Sequence, residues 1–175
     1  MKRDGWEGGH RVPFIARWPG RIPPRRVSSQ MTNTTDIMAT LASVVGYKLP
    51  DDAAVDSFDM WPAMSGAQDD ADSIRPHLLT QSFRGEFQIR QGAWKYLDHV
   101  GSGGNDYDRG MLQQYALPEQ QPTATGQLYN LNTDPGETSN LFFRETAKRK
   151  ELQQLLEHLK TSGRSAPRGR VPVAD

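Results

Sequence analysis

The chain has 175 residues, 21 of them basic and 21 acidic, and no net charge. Length allows one domain, or one domain with part of another, and the charge balance gives no reason to expect a nucleic-acid or membrane partner. No cysteine is present, which excludes disulfides, thiolate catalysis and Cys-ligated zinc.

The N-terminus Met1-Lys2-Arg3-Asp4-Gly5 is basic but has no apolar h-region, so it is not read as a signal peptide. No apolar stretch approaches the ~20 residues needed to span a bilayer. Compartment stays open. Trp6-Glu7-Gly8-Gly9-His10-Arg11 reads as a glycine-hinged polar loop, either an ordinary surface loop or one that presents side chains at a site. Val12 to Trp18, β-branched and aromatic and closed by Pro19-Gly20, predicts a short buried strand.

Arg17, Arg21, Arg25 and Arg26 then accompany Pro23 and Pro24 in an extended basic loop, a solvated segment or an anion holder. Thr34 or Thr35 is placed as the N-cap of a helix whose Ile37, Met38, Leu41, Val44 and Val45 recur at helical spacing up to Gly46, so that one face should be buried. Asp36 suits the first turn as a cap, with a ligand or acid/base role as the alternative. Asp51 to Asp72 is acidic without the spacing of a calcium loop, and Asp69-Asp70-Ala71-Asp72 reads as a solvated linker. A helical turn over Asp59 to Met64 would tuck Phe58, Met60 and Trp61 inward.

From Leu78 the period becomes strand-like. Leu78–Phe83, Phe87–Arg90 and Ala93–Leu97, separated by tight turns, predict an antiparallel meander, and Leu128–Leu131 a fourth strand. Gly101 to Thr125 is a long glycine- and glutamine-rich loop, functional or mobile. A helix is predicted over roughly Thr146 to Ser162, with Leu152, Leu155, Leu156 and Leu159 as its apolar stripe. The tail from Arg164 has no period and reads as disordered; Arg164, Arg168 and Arg170 lack the aromatic interleaving of a nucleic-acid site.

No complete active site is legible from residue types. His10, His77, His99 and His158 are scattered, and there is no HExxH, no GxSxG elbow and no phosphate-loop lysine after Gly101-Ser102-Gly103-Gly104.

The segment Lys2-Arg3-Asp4-Gly5-Trp6-Glu7-Gly8-Gly9-His10-Arg11-Val12-Pro13 resembles the Lys-x4-Glu-Gly-Gly-x-Arg-Val-Pro segment of the type I, arylsulfatase A-like sulfatases. The resemblance continues in order through Phe14–Pro23, Asp36–Leu41, Asp56-Ser57-Phe58, Ile89–Tyr96, Leu128–Leu131 and Asp134–Leu141. It implies the C-terminal portion of a sulfatase of the alkaline-phosphatase-like superfamily, with an α+β fold. That fold is a small four-stranded antiparallel sheet with a packed C-terminal helix (residues 74–163). It would be preceded by the last strand and helix of a larger α/β domain (residues 1–73) and followed by a disordered tail (164–175). In that family a formylglycine made from Cys or Ser in a C/S-x-P-x-R motif attacks the sulfate ester beside a calcium ion. Neither the motif nor the calcium ligands has a counterpart in this chain, so no catalytic residue, metal ligand or cofactor of its own is expected.

The resemblance places Lys2 as a sulfate contact and Glu7, Gly8, Gly9 and Arg11 as the loop that positions it. Expected partners are a sulfate ester or sulfated glycan and the missing N-terminal sulfatase domain, with self-association through exposed apolar surface. On this reading the isolated chain is inactive. The alternative is a non-catalytic accessory domain recognising a sulfated glycan or a protein partner, motivated by the basic loop Arg17 to Arg26. Gln81-Ser82-Phe83 departs from relatives that carry His there, and the loop Asp98 to Thr125 varies in the family, so substrate identity stays open.

Overall fold

A computed structural model describes residues 1–118 and 120–167. The elements in order are α1 (Glu7–His10), α2 (Asp36–Val44), α3 (Trp61–Ser65), β1 (Leu78–Gln81), β2 (Phe87–Gln91), β3 (Trp94–Leu97), a 3₁₀ turn (Gly110–Tyr115), β4 (Gln127–Asn130) and α4 (Thr146–Ser162). Two compact units form, one from Met1–Pro13 and Leu79–His158, the other from Phe14–Leu78 and the chain from Leu159 onward. This division differs from a boundary at residue 73, because the first 13 residues belong with the sheet.

The sheet is the predicted meander, in the order β1-β2-β3-β4. Ile89 pairs with Tyr96 and Tyr96 with Leu128, while Arg90 pairs with Lys95 and Lys95 with Tyr129. Since side chains alternate between faces, these two rows lie on opposite sides. The apolar row belongs to the core: Ile89 and Leu128 are fully buried, as are Leu152 and Leu156 of α4. That helix occupies the predicted span, with Leu159 also buried. The other face carries Gln88, Arg90, Lys95 and Gln127 together with Leu97 and Tyr129, all but Arg90 buried. A sheet with one apolar and one buried polar face needs partners for every polar group on the second.

In the second unit, α3 confirms the expected turn, and Phe58, Met60, Ala63 and Ala166 pack as one cluster. Several expectations need correction there. Val12–Trp18 is not a strand but unpaired chain, with Val12, Phe14, Ile15 and Trp18 exposed; a strand requires a hydrogen-bonded neighbour, and none lies beside it among the described residues. Helix α2 forms, but it buries Asp36, Ala39, Thr40 and Ala42 and exposes Ile37, Met38 and Leu41, with Val45 exposed just past its end. Its apolar stripe is thus outside, and no side chain caps it.

The reason is Asp36. Its carboxylate is buried, ion-paired with Arg75 and accepts backbone N–H groups from Asn33 and Phe58, each at 2.8 Å. Arg75 Nη2 also donates to the Asp56 carbonyl at 2.8 Å. Thr40 Oγ1 donates to the Asp36 carbonyl and accepts from Met60 N–H. This network turns the polar side of α2 inward. Asp70, expected in a solvated linker, instead accepts from Ser28 Oγ and Ser29 N–H at 2.6 Å. The start of the tail is also ordered: Ser165 N–H donates to Asp56, Ala166 N–H donates to Val55, and Ala166 is 3% exposed. Residues 168–175, including Arg168 and Arg170, lie outside the described residues.

Removing one member of a buried ion pair strands the other, at a cost of about 3–5 kcal/mol. Asp36→Ala is therefore expected to destabilise the chain by about that much in urea denaturation, with part recovered when Arg75→Met is added. A loss below about 1 kcal/mol would show that Asp36 does not organise α2.

Candidate functional site

The first eleven residues lie on the polar face of the sheet and are held at both ends. One anchor is Asp4, fully buried. Its carboxylate accepts from Tyr107 Oη at 2.6 Å, Asn105 Nδ2 at 2.7 Å and Asn105 N–H at 3.1 Å. Burial opposes ionisation of Asp4, but the Met1 amino group, Tyr107 and Asn105 outweigh it and lower its pKa. Burial and the same carboxylate push Tyr107 up to about 12, so its hydroxyl remains a donor. Asn105 Nδ2 also donates to the Lys2 carbonyl at 2.8 Å, and Gly5 N–H donates to the Ser102 carbonyl at 2.7 Å. The glycine-rich loop after β3, a flexible excursion by composition, is the cradle of this segment. Gly104 shows why: a Cβ there would lie 2.1 Å from the Arg3 carbonyl oxygen.

The second anchor is Glu7. Its carboxylate meets Lys95 Nζ at 3.0 Å and Arg90 Nη1 at 3.1 Å. Glu7 N–H, at the start of α1, donates to Glu137 Oε2 at 2.6 Å, and Lys95 Nζ lies 3.1 Å from Glu137 Oε1. Lys95 is only 2% exposed. One buried ammonium therefore joins two carboxylates from opposite ends of the chain. Burial opposes ionisation of both. For Glu7 the charges of Lys95 and Arg90 win and its pKa is lowered; for Glu137 burial wins and its pKa is raised. Glu137 also holds a φ of 54°, a left-handed backbone costly for a non-glycine residue. Trp6 completes the attachment, donating Nε1–H to Gln127 Oε1 at 2.9 Å.

Of the residues singled out from sequence, Lys2 is exposed and lines a shallow pocket of about 230 Å³ with Arg3, Gly9, His10, Ser82 and Phe83. Glu7 is an anchor of the loop. Gly8 and Gly9 lie within α1, a single helical turn where the sequence reads as a loop. Gly9 is required by contact: a Cβ there would lie 2.1 Å from the Asp4 carbonyl oxygen. Arg11 is exposed, its backbone N–H donating to the Glu7 carbonyl and its charge acting on Glu7 more weakly than Lys95 or Arg90. His10 is half-buried with no hydrogen-bond partner on Nε2, and burial together with Lys95 lowers its pKa, so it is neutral at pH 7. Lys95, Arg90, Glu137, Asn105 and Tyr107 were not singled out. Arg90, Lys95 and Glu137 fall within the family-like segments Ile89–Tyr96 and Asp134–Leu141, which could have marked them; Asn105 and Tyr107 carry no such signal. Among the described residues no cluster of three His, Cys, Asp or Glu could hold a metal.

This chain matches the family model described as N-sulphoglucosamine sulphohydrolase, C-terminal, over residues 1–164. It is 30% identical over 160 residues to an N-acetylgalactosamine-6-O-sulfatase of Bacteroides thetaiotaomicron, an alignment covering 91% of this chain and 29% of that protein. It is 32% identical over 162 residues to human arylsulfatase A, covering 88% and 30%. A solved structure from work on glycosaminoglycan metabolism in B. thetaiotaomicron superposes with a TM-score of 0.71 at 30% identity, covering 91% of this chain and 31% of that one. The chain thus spans about three tenths of the length of these relatives. The ordered sequence motifs, the four-stranded meander with its C-terminal helix and these matches agree: the chain belongs to the sulfatase family, as its C-terminal domain.

Proposed function

We propose that this chain is the C-terminal part of an enzyme hydrolysing sulfate esters, and that it contributes one wall of the active site, with Lys2 as the sulfate contact. The observation that carries this reading is the mounting of Lys2. Its ammonium makes no ion pair among the described residues, yet the backbone around it is fixed by Asp4 and Glu7 networks that reach residues about a hundred positions away. A compact ammonium carried on a fixed backbone can stabilise charge developing on a sulfate oxygen, and preorganised charge is usually the largest single contribution in such transfers. Glu7, Gly8 and Gly9 form the turn that positions it, with Arg11 reinforcing Glu7. Among the described residues no acidic cluster fits a calcium site; by the family resemblance, calcium and formylglycine belong to the N-terminal portion. Relatives named N-acetylgalactosamine-6-sulfatases support a sulfated amino sugar of a glycan as the substrate class. The exposed apolar groups of α2 and of Val12–Trp18 are the surface on which the missing sulfatase portion packs.

The alternative of an accessory domain built on the basic loop loses one of its arginines: Arg26 donates to the Ala63 and Gln68 carbonyls, each at 2.9 Å, rather than facing an anion.

Purified alone, the chain is expected to hydrolyse neither 4-nitrophenyl sulfate nor N-acetylgalactosamine 6-sulfate; turnover at an enzymatic rate would overturn the reading. The coding DNA in frame before Met1 is expected to encode a C/S-x-P-x-R motif. In the protein expressed with that segment, Lys2→Ala should lower kcat by about two orders of magnitude, as for loss of one charge-stabilising group. An unchanged kcat removes the role assigned to Lys2.

Lys95→Met leaves Glu137 without a cation and Glu7 with Arg90 alone, at an expected cost of about 3–5 kcal/mol of stability. Adding Glu137→Gln should return part of it. The sign with pH follows from Glu7: its folded pKa is depressed, so its contribution is present above the ordinary glutamate range and lost as pH falls through the depressed value. Urea denaturation between neutral and acid pH checks both; a Lys95→Met loss unaffected by Glu137→Gln contradicts the shared-cation account.

Exposed apolar faces favour self-association. Sedimentation velocity on the isolated chain should show concentration-dependent oligomers, diminished by Leu41→Glu on α2. A clean monomer, or oligomers indifferent to Leu41→Glu, would contradict the use of this face.

A further inference from the structure

Beside Lys2 stands a second cation that neither anchor uses. Arg3 adopts φ 89°, a conformation that L side chains other than glycine avoid and that persists where surroundings enforce it. Two contacts enforce it. The Arg3 carbonyl accepts Phe83 N–H at 3.0 Å, and Gly104 lies so close to that carbonyl that a Cβ could not fit. The same backbone brings the guanidinium over the Phe83 ring, 3.8 Å from its centroid. Phe83 is a large apolar side chain left 66% exposed, two residues past the end of the short β1 strand, so the stack forms at the surface.

The guanidinium makes no ion pair or hydrogen bond among the described residues. The nearest acid in sequence, Asp4, has its carboxylate turned into the Tyr107 and Asn105 bonds and is fully buried. The stack orders the side chain while leaving the in-plane N–H donors open, and those donors match an oxyanion in bidentate geometry. Lys2 and Arg3 line one pocket, as do Ser82 and Phe83. At about 230 Å³ it suits part of a sugar with its acidic substituents rather than a long oligosaccharide.

We propose that Arg3, stacked on Phe83, is a specificity-determining residue that binds a second oxyanion of the substrate, so that the pocket selects glycans carrying another acidic group beside the sulfate held by Lys2. This rests on the reading of Lys2 as the sulfate contact. The second oxyanion is a sulfate on the same sugar or the carboxylate of a neighbouring uronic acid; the guanidinium recognises either.

The test is titration of the chain, at low salt so that screening is weak, with three probes: N-acetylgalactosamine 6-sulfate, N-acetylgalactosamine 4,6-disulfate, and glucuronyl-N-acetylgalactosamine 6-sulfate. At least one dianionic sugar is expected to bind about tenfold tighter than the monosulfate, the effect of one added charge-assisted bidentate pair; which one does so identifies the second group. Arg3→Gln should bring that ratio towards one, Arg3→Lys should restore part of it, and Phe83→Leu, which removes the stack but not the charge, should lower it. Amide spectra of each variant establish that it is folded. A ratio near one in the unaltered chain, a ratio that Arg3→Gln leaves intact, or no saturable binding of either dianionic sugar overturns the proposal. Lys2→Gln is the separate arm: if it weakens none of the three sugars, the assignment of Lys2 fails, while the Arg3 ratio still reports on Arg3.

Discussion

The buried ammonium of Lys95 is the constraint on which the candidate site depends. It sits at the middle of the meander, with Arg90 across one strand pair and Tyr129 across the other. A buried cation is tolerated only when paired and hydrogen-bonded. Lys95 is satisfied by Glu7 from the N-terminal turn and Glu137 from the turn after β4, 88 residues before it in one case and in the opposite direction along the chain in the other. Glu137 reaches its place through a strained backbone, and its second oxygen then receives the first N–H of α1. Each group exists in its position because the other two do. The network thereby fixes where the chain enters the sheet's polar face, and with it where Lys2 and Arg3 emerge.

A polar sheet face is an uncommon way to build a small domain, since each buried donor must be matched. Here the matching is shared between the N-terminal segment it carries and the loops after β1 and β3. Gln127 receives the Trp6 indole N–H on its oxygen and gives its amide hydrogens to the His99 and Gly101 carbonyls. Gln88 donates to the Glu86 carbonyl. The opposite face is conventional, with Ile89 and Leu128 fully buried. Packing and directional bonding are thus separated: one side of the sheet supplies the apolar core, the other holds the N-terminal segment through directional bonds whose geometry is less forgiving than packing.

The parts legible in the sequence were those encoded locally. Turn residues between short alternating strands were enough to locate the meander, and a leucine stripe to locate α4. The ordered motifs identified the family. The networks were illegible because they join distant residues of ordinary type. Nothing in Asn105 or Tyr107 marks them as holders of Asp4, 101 and 103 positions away. Two local readings failed for a physical reason. The Val12–Trp18 pattern has strand propensity but no strand beside it to bond. The stripe on α2 predicts a buried apolar face, whereas the fold buries Thr40 and Asp36, the latter legible only as a first-turn cap or, alternatively, a ligand or acid/base group. Periodicity shows that a helix has two faces; which one turns inward depends on partners such as Arg75 and Phe58, far off in sequence.

The inverted α2 and the polar sheet face follow one rule from opposite directions. In each, a buried ion pair overrides hydrophobic patterning: Asp36 with Arg75 in one unit, Lys95 with Glu7 and Glu137 in the other. Such pairs contribute little net stability compared with apolar packing of the same volume, but they are intolerant of displacement. What they supply is position. Around Asp36 that position turns an apolar helical face outward, where burying it against further protein is favourable by roughly 25 cal/mol per Å². Around Lys95 it sets two adjacent cations on a strained backbone that packing alone would not hold. Neither the outward apolar face nor the mounted cations would follow from hydrophobic patterning alone; both follow from buried ion pairs.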